Sequence, residues 1–438
     1  MTTGSAMATG SIPGELTDAC VAVTLAGPAD VVAGQPARFV AAPASTAEVA
    51  AVLRAASGLG LTVVARGSGS KLDWGAAPPR CDLIVDTRRL DRVLEHAAGD
   101  LVVSVQAGIL LADLATVVSA AGQRLALDPA AGGTIGGIVA TQAAGPLRFR
   151  YGAPRDLLIG ITVVRADGTL ARAGGKVVKN VAGYDLCKLY AGSYGTLGLI
   201  TDATFRLHPA PAAAALVTID CADPQAAALA VETMAGSPLA PSAIELDWPS
   251  ASGPIDVSVL LEGDEDSVAG RADRILSLLG SRATAGKPPA HHKRAAGRPG
   301  QAALSADEAQ TTVVQVGFWA GQLAAMLTAI RTAALADDLD PAIGGSAAAG
   351  VLLVEMDGAS PADAVARFVA GLRAGLAGRS VGRVPPAAAS VVVQRAPAAV
   401  RDAVDVWGPV PSLGLMRAIK DQFDPDGRLS PGRLAGGI

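Results

Sequence analysis

The stretch Ala65-Arg66-Gly67-Ser68-Gly69-Ser70-Lys71 follows directly on Leu61 to Ala65, a short β-branched run that predicts a buried strand. A strand delivering a glycine-rich loop is the feature from which the fold can be read. Glycine allows close backbone approach and positive φ. Successive N–H groups in such a loop form an anion-binding concavity. One loop alone is more often an ordinary turn. Two more glycine clusters follow, Gly132-Gly133-Thr134-Ile135-Gly136-Gly137 and Gly192-Ser193-Tyr194-Gly195-Thr196-Leu197-Gly198, the last running into a predicted strand from Leu199 to Leu207. Three such loops suit a nucleotide diphosphate, which has two negative charges and many acceptor oxygens. The Rossmann spacing G-x-G-x-x-G is not met by Arg66 to Lys71 or by Gly132 to Gly137, and no P-loop pattern is present.

Working outward, Ser45 with Glu48 reads as a capping box for a helix through Val49, Val52, Leu53 and Ala56, stopped by Gly58 and Gly60. Strands are predicted at Leu83 to Asp86, Arg92 to His96, Leu101 to Gln106 and Leu158 to Val164. Helices are predicted at Leu110 to Ala121 and Tyr184 to Ala191, and Asp167-Gly168 reads as a hairpin turn. Pro209 and Pro211 mark a boundary. Beyond it strands (Leu216 to Asp220, Ile244 to Leu246, Val257 to Glu262, Thr312 to Gly317, Val351 to Met356, Val391 to Gln394) alternate with helices (Pro224 to Met234, Asp266 to Leu279, Gly321 to Ala333, Pro361 to Ala374). Two short β-α-β units are suggested, without a recognisable sequence repeat. Ala283 to Ala306 reads as an exposed loop, and a helix near Ser412 to Phe423 precedes the turn Asp424-Pro425-Asp426-Gly427. The domains expected are a poorly ordered 1–30, a nucleotide domain 31–209, an α+β block 210–397 and a tail 398–438 that returns to the first domain. Order is expected to begin near Arg38.

The 438 residues carry a net charge of −4, with 17% charged, 50% hydrophobic and 3% aromatic side chains. Mean hydropathy is +0.38. The lack of a basic surface argues against binding many phosphates of a nucleic acid, and the scarcity of aromatics against stacking on single strands. No apolar run is long enough to span a bilayer, and Met1 to Asp18 lacks the pattern of a secretory signal. Cys20, Cys81, Cys187 and Cys221 are far apart and form no CxxC pair, so free thiols in a reducing cytoplasm are expected. Peripheral association with the inner face of the membrane through partners stays open.

Residues from about Arg38 to Pro209, with the tail from Met416 to Arg433, resemble the FAD-binding domain of the vanillyl-alcohol-oxidase-like (PCMH-type) flavoproteins. They are more closely similar to the E-type FAD-binding subunits of bacterial glycolate oxidases. The motifs that carry this are Ala65 to Lys71, Gly132 to Gly137, Lys176-Val177-Val178-Lys179-Asn180-Val181-Ala182-Gly183-Tyr184-Asp185-Leu186, and Gly195-Thr196-Leu197-Gly198. The resemblance implies an α+β fold, a two-subdomain FAD domain with an α+β cap. It implies that Arg66, Gly67, Ser68, Gly69 and Ser70 wrap the FAD diphosphate with backbone N–H groups. Pro129, Gly132, Gly133, Thr134, Gly136 and Gly137 would lie along the diphosphate and ribitol. Gly195, Thr196, Gly198 and Ile200 would approach the adenine and the flavin edge. Covalent relatives have a His where this chain has Ser70, which implies non-covalent FAD. The partners implied are a catalytic D-type flavoprotein and an iron–sulfur subunit, the substrate a small 2-hydroxy acid. Two alternatives are a self-sufficient 2-hydroxy-acid dehydrogenase and a non-catalytic FAD-holding assembly subunit.

No metal site and no catalytic base are identified. The histidines are His96, His208, His291 and His292, and Tyr194 stands where catalytic relatives carry Glu. Lys179 and Asn180 are candidates for contact with flavin or substrate. Arg148, Arg150 and Arg155 are read in a loop, as solvated charges or as a carboxylate clamp. Tyr151, Tyr184 and the four tryptophans, Trp74, Trp248, Trp319 and Trp407, are read first as packing residues. Asp128 is read as a turn former, and Lys71 as a charge at the loop's edge.

Overall fold

The structure is a computed structural model that describes residues 11–130, 132–176, 184–251, 253–280, 283–286, 311–377 and 389–438. The described residues open with a helix at Gly14–Ala19 that fully buries Leu16, followed by β1 (Val23–Leu25). Order therefore begins well before Arg38. Leu16 and Cys20 supply the apolar contact that pins this segment to the first core, a contact made across the fold and so invisible to local composition.

After a small hairpin of β2 (Val31–Val32) and β3 (Gln35–Pro36) come β4 (Phe39–Ala41), β5 (Val63–Arg66) and β6 (Leu83–Asp86). The first sheet has the order β1-β4-β6-β5, with β6 parallel to both β4 and β5. All four residues of β6 are buried, as expected of a parallel strand covered on both faces. Helix Thr46–Gly58 connects β4 to β5. Ser45 Oγ accepts from the Glu48 amide, while the Glu48 carboxylate accepts from Ala44 rather than Ser45, so the box closes one residue early.

The second subdomain contains β7 (Val93–Ala97), β8 (Val102–Gln106), β9 (Gln123–Arg124), β10 (Leu158–Val164), β11 (Leu170–Gly174), β12 (Leu199–Arg206) and β13 (His208–Pro209). Five of them form an antiparallel sheet, β11-β10-β12-β8-β7, and β9 pairs with β13. Asp167-Gly168 makes the predicted turn between β10 and β11. Helix Ile135–Thr141 starts inside the second glycine cluster, and Arg148–Tyr151 is a one-turn helix rather than loop.

The cap is one eight-stranded antiparallel sheet made of β14 (Ala213–Cys221), β15 (Ala243–Trp248), β16 (Ile255–Gly263), β17 (Ala283–Gly286), β18 (Thr312–Gly317), β19 (Ala342–Gly345), β20 (Val351–Met356) and β21 (Ser390–Arg395). Its order is β17-β14-β16-β15-β19-β20-β18-β21. Read outward from the β15–β19 junction, each half runs in the same order, second, third, first and fourth strand. Each half is therefore a split β-α-β unit, with helices Pro224–Ala235 and Glu265–Leu279 in the first and Leu323–Ala336 and Ala362–Ala377 in the second. Alternate strand residues such as Val217, Ile244, Val257, Val314 and Leu352 share one core with these helices. Two elements depart from the sequence reading. Ala283–Gly286 is an edge strand on β14 rather than loop, and the short β19 has too little periodicity to announce itself. Residues 287–306, including His291 and His292, and Lys179 with Asn180 lie outside the described residues. Cys20, Cys81, Cys187 and Cys221 are free and buried. Among the described residues no helix is long and apolar enough to cross a membrane.

The tail closes the molecule. Helix Leu413–Phe423 places Lys420 so that its ammonium donates to the Thr196 carbonyl (2.7 Å), the Leu429 carbonyl (3.0 Å) and Asp424 Oδ2 (2.6 Å). The Val63 amide donates to the Arg428 carbonyl and the Ser430 amide to the Val63 carbonyl, so the tail extends the β5 edge. Cap and first domain meet at Arg124, which holds Glu262 through both carboxylate oxygens (2.6 and 2.7 Å) and Tyr151 Oη (2.8 Å). Asp128 is half-buried beside them, and both its carboxylate oxygens accept from the Leu147 amide.

Lys420→Met is expected to lower stability by about 3–5 kcal/mol, because it leaves Asp424 buried without its charge partner. Urea or thermal unfolding followed by circular dichroism measures it. Burial pushes the Asp128 carboxyl up to about 7, the Arg124 charge opposing and Glu262 adding to it. The folded chain thus keeps a proton that the unfolded chain releases near pH 4, and the stability Asp128 contributes is lost as pH rises from about 4 to about 7, while His208, whose proton affinity burial lowers, acts in the opposite direction. Urea midpoints at pH 5 and pH 7.5 should show this fall in the wild type and a smaller one in Asp128→Asn.

Candidate functional site

The three glycine clusters, far apart in sequence, line one cleft with about 750 Å³ of empty space, partly open to solvent. Its wall includes the run from Arg66 to Leu72, then Thr134, Gly136 and Gly137, then Tyr194, Gly195, Gly198 and Ile200, with Arg433 arriving from the tail.

The first loop leaves β5 at Arg66, whose guanidinium is committed to Asp86 and Asp30. Its carbonyl accepts from the Thr87 amide and hydroxyl. The side chain of Arg66 is thus structural and fixes the exit direction of the loop. Beyond it, the amides of residues 67–71 donate to no other described residue. Gly69 sits at φ +84°, which opens the loop into a concavity. Five amides with no described partner, on residues that line a cleft, suit an anion.

The second cluster packs directly on the first. A Cβ at Gly67 would lie 2.0 Å from Thr134 Oγ1, so glycine there is demanded by contact rather than by φ. The amides of Ile135 and Gly136 are spent on the carbonyls of Ile109 and Ala107. This cluster offers surface more than donors. Gly132 and Gly133 lie behind it: the Gly132 carbonyl accepts from Lys71 Nζ at 2.7 Å, and a Cβ on Gly133 would meet that Nζ at 2.9 Å. Pro129 is not part of the wall; its carbonyl accepts from the Gly132 amide.

The third cluster is stapled to helix Ile135–Thr141, the Gly192 and Tyr194 amides donating to the carbonyls of Val139 and Ala140. Gly195, Gly198 and Ile200 reach the cleft, whereas Thr196 is fully buried and works as a bracket. Its hydroxyl donates to the Ser193 carbonyl, and its own carbonyl takes the Lys420 ammonium. Tyr194 adopts a left-handed φ of +55°, a strain that the surrounding contacts hold. Its ring meets Trp407 edge-on at 5.1 Å, and burial pushes its hydroxyl up to about 12.

Several wall residues escaped the sequence reading. Lys71 is only 8% exposed rather than at the loop's edge. Arg433 donates to the carbonyls of Leu72 and Trp74. A cation adjoining the glycine run was the available sign for Lys71; nothing local marks Arg433. Of the other candidates, Tyr151 packs between Arg124, Arg150 and His208, His96 bonds Gln123, and Tyr184 and Trp319 are exposed rather than packed. No group of three or more His, Cys, Asp or Glu residues is placed to hold a metal ion among the described residues.

Comparison with known proteins agrees with this geometry. Residues 37–174 match the family described as FAD binding domain, and residues 408–434 the family described as FAD linked oxidases, C-terminal domain. Both point to FAD. Among similar proteins, glycolate oxidase subunit GlcD of Bacillus subtilis is 35% identical over 214 residues, 48% of this chain and 46% of the relative. An uncharacterized FAD-linked oxidoreductase of Mycobacterium tuberculosis is 36% identical over 236 residues, 53% of this chain and 51% of the relative. D-lactate dehydrogenase of Archaeoglobus fulgidus is 36% identical over 168 residues, 38% of each chain. The chain thus matches about half the length, or less, of these curated relatives. In fold it is similar to alkyldihydroxyacetonephosphate synthase, with TM-score 0.65 and 17% identity over 91% of this chain and 76% of that one.

Gly67→Ala should weaken FAD binding by at least about tenfold, since the new methyl must push the first two loops apart. Adding Thr134→Ala removes the clashing oxygen and should recover part of the loss. Flavin-fluorescence titration of apoprotein compares the two; equal affinity of Gly67→Ala and wild type would show that loop contact is immaterial to the cofactor.

Proposed function

We propose, from the premise that the chain carries an FAD binding domain closed by the C-terminal segment of the FAD-linked oxidases, that it is an FAD-dependent oxidoreductase subunit. It would serve oxidation of glycolate or a related 2-hydroxy acid within a glycolate oxidase-type complex. The observation that carries the FAD part is that residues 67–71, whose amides have no described partner, line the same cleft as the other two glycine clusters. The relatives named for glycolate and D-lactate support the substrate class.

The cleft fits the group. The amides of Gly67, Ser68, Gly69, Ser70 and Lys71 would hold the diphosphate, and Thr134, Gly136 and Gly137 would lie along the ribitol. Gly195, Gly198 and Ile200 would border the ring systems. Pro129, Gly132, Gly133 and Thr196 would shape the walls from behind. Ser70 gives no tether, so the cofactor would be non-covalent. FAD, when bound, supplies a two-electron acceptor for the hydroxy acid. The protein's part is to orient it, to exclude water and to keep the Tyr194 hydroxyl as a protonated hydrogen-bond donor, since a group pushed up to about 12 takes no proton at neutral pH. A catalytic D-type flavoprotein would supply the base, and an iron–sulfur subunit would receive the electrons, in the cytoplasm.

The purified chain should be yellow and release FAD on acid or heat. Anaerobic mixing of the FAD-loaded chain alone with glycolate, D-lactate and L-lactate should give no rapid bleaching, and bleaching should appear on co-expression with the two partners. Rapid bleaching of the isolated chain by any of the three would instead establish a self-sufficient dehydrogenase.

A further inference from the structure

Among the described residues, Lys71 and Arg433 are buried cations that line the cleft and hydrogen-bond only to neutral groups, and of the two Lys71 belongs to the loop whose amides have no described partner. Its Nζ reaches Ser70 Oγ at 3.1 Å and the Gly132 carbonyl at 2.7 Å, with the Trp74 ring 5.7 Å away. All these partners are neutral, and among the described residues no carboxylate pairs with it. Of the neighbouring cations, Arg66 meets the carboxylates of Asp30 and Asp86, while Arg433 spends both terminal nitrogens of its guanidinium on the carbonyls of Leu72 and Trp74 and Lys71 keeps one donor free. A buried ammonium without counter-charge is costly, and burial lowers the Lys71 ammonium to about 8. An ammonium has three donors, and two acceptors are in place. The side chain therefore stands at the seam of the first and second loops with a charge and a donor to spare.

We propose that Lys71 supplies the counter-charge for the cofactor's diphosphate, on the same side of the cleft as the unspent amides of residues 67–71. Amides recognise phosphate oxygens by geometry but bring no net charge. Lys71 brings the charge, and through Gly132 it couples arrival of the anion to the position of the second loop. This rests on the FAD reading above, which it deepens by assigning the electrostatic part of the binding to one side chain.

The test is FAD titration of apoprotein from pH 7 to pH 9.5, for wild type, Lys71→Met and Lys71→Arg. An anion that pairs with Lys71 raises its proton affinity, so wild-type affinity for FAD should fall as pH rises above about 8. Lys71→Met should bind FAD at least about tenfold more weakly at pH 7 and lose that pH dependence. Lys71→Arg, which stays charged, should keep affinity within a few-fold of wild type and show no fall. Burial sets Cys81 near 11 and Tyr194 near 12, outside this range, and lowers Arg433 to about 10, so the comparison is read between pH 7 and pH 9, and a fall that persists in Lys71→Met is assigned to Arg433 and overturns the assignment to Lys71. Folding is checked separately: without FAD, Lys71→Met should melt no lower than wild type, because it removes an unpaired buried charge, while its gain in melting temperature on adding FAD should be smaller. Unchanged affinity in Lys71→Met, or weakened affinity with the wild-type pH dependence intact, overturns the assignment. A wild-type apoprotein that takes up no FAD at any pH would remove the cofactor reading and this assignment with it.

Discussion

The Lys420 ammonium is the constraint on which the cleft depends. It is buried, and its three acceptors belong to three different segments: the third glycine cluster at Thr196, its own helix at Asp424 and the returning tail at Leu429. Burial lowers its affinity for the proton, and the Asp424 carboxylate works against that. The same oxygen, Asp424 Oδ2, also accepts the Leu429 amide, while Oδ1 is buried with no hydrogen-bond partner among the described residues. From this bracket the tail continues along the edge of β5, the strand that delivers the first loop. One buried ion pair thus sets the distance between two of the three walls.

The third wall is set by steric contact. Gly67 and Thr134 touch so closely that no Cβ fits between them, and the second cluster is anchored from behind by the carbonyls of Ala107 and Ile109. The consequence is a division of labour among glycines that look alike in sequence. Some open amides toward the cleft, some permit contact between loops, and some never reach the cavity. Side chains and amides that a motif would assign to the ligand, such as the Arg66 guanidinium and the Gly136 amide, are consumed in holding the loops.

The cap repeats one solution twice. Each half buries the apolar face of a four-stranded unit under two helices, and the halves join through β15 and β19 into a single sheet. Its attachment to the FAD domain is mixed in character: the Arg124–Glu262 pair, a backbone bond from Gly75 to Gln394, and apolar contact among Leu147, Ala243 and Leu260. Such an interface fixes the cap against the FAD domain without requiring a large apolar surface.

What the sequence determined by itself is whatever depends on short-range pattern. The β-branched run before Gly67, the Ser45 cap, the Asp167-Gly168 turn and the periodic helices of the cap all appear where local propensity puts them. Tertiary structure alone decided what depends on partners distant in the chain. Leu16 orders the N-terminal segment because a core exists for it to enter. The two halves of the cap match in topology although their residues do not repeat, because a sheet needs only alternating burial, which many sequences satisfy. Lys71, Thr196, Lys420 and Arg433 take their roles from how deeply they are buried and from which carbonyls face them. Burial and facing groups are properties of the packed chain, so a charge that reads as solvated in sequence becomes, once enclosed, a structural bracket or a counter-charge.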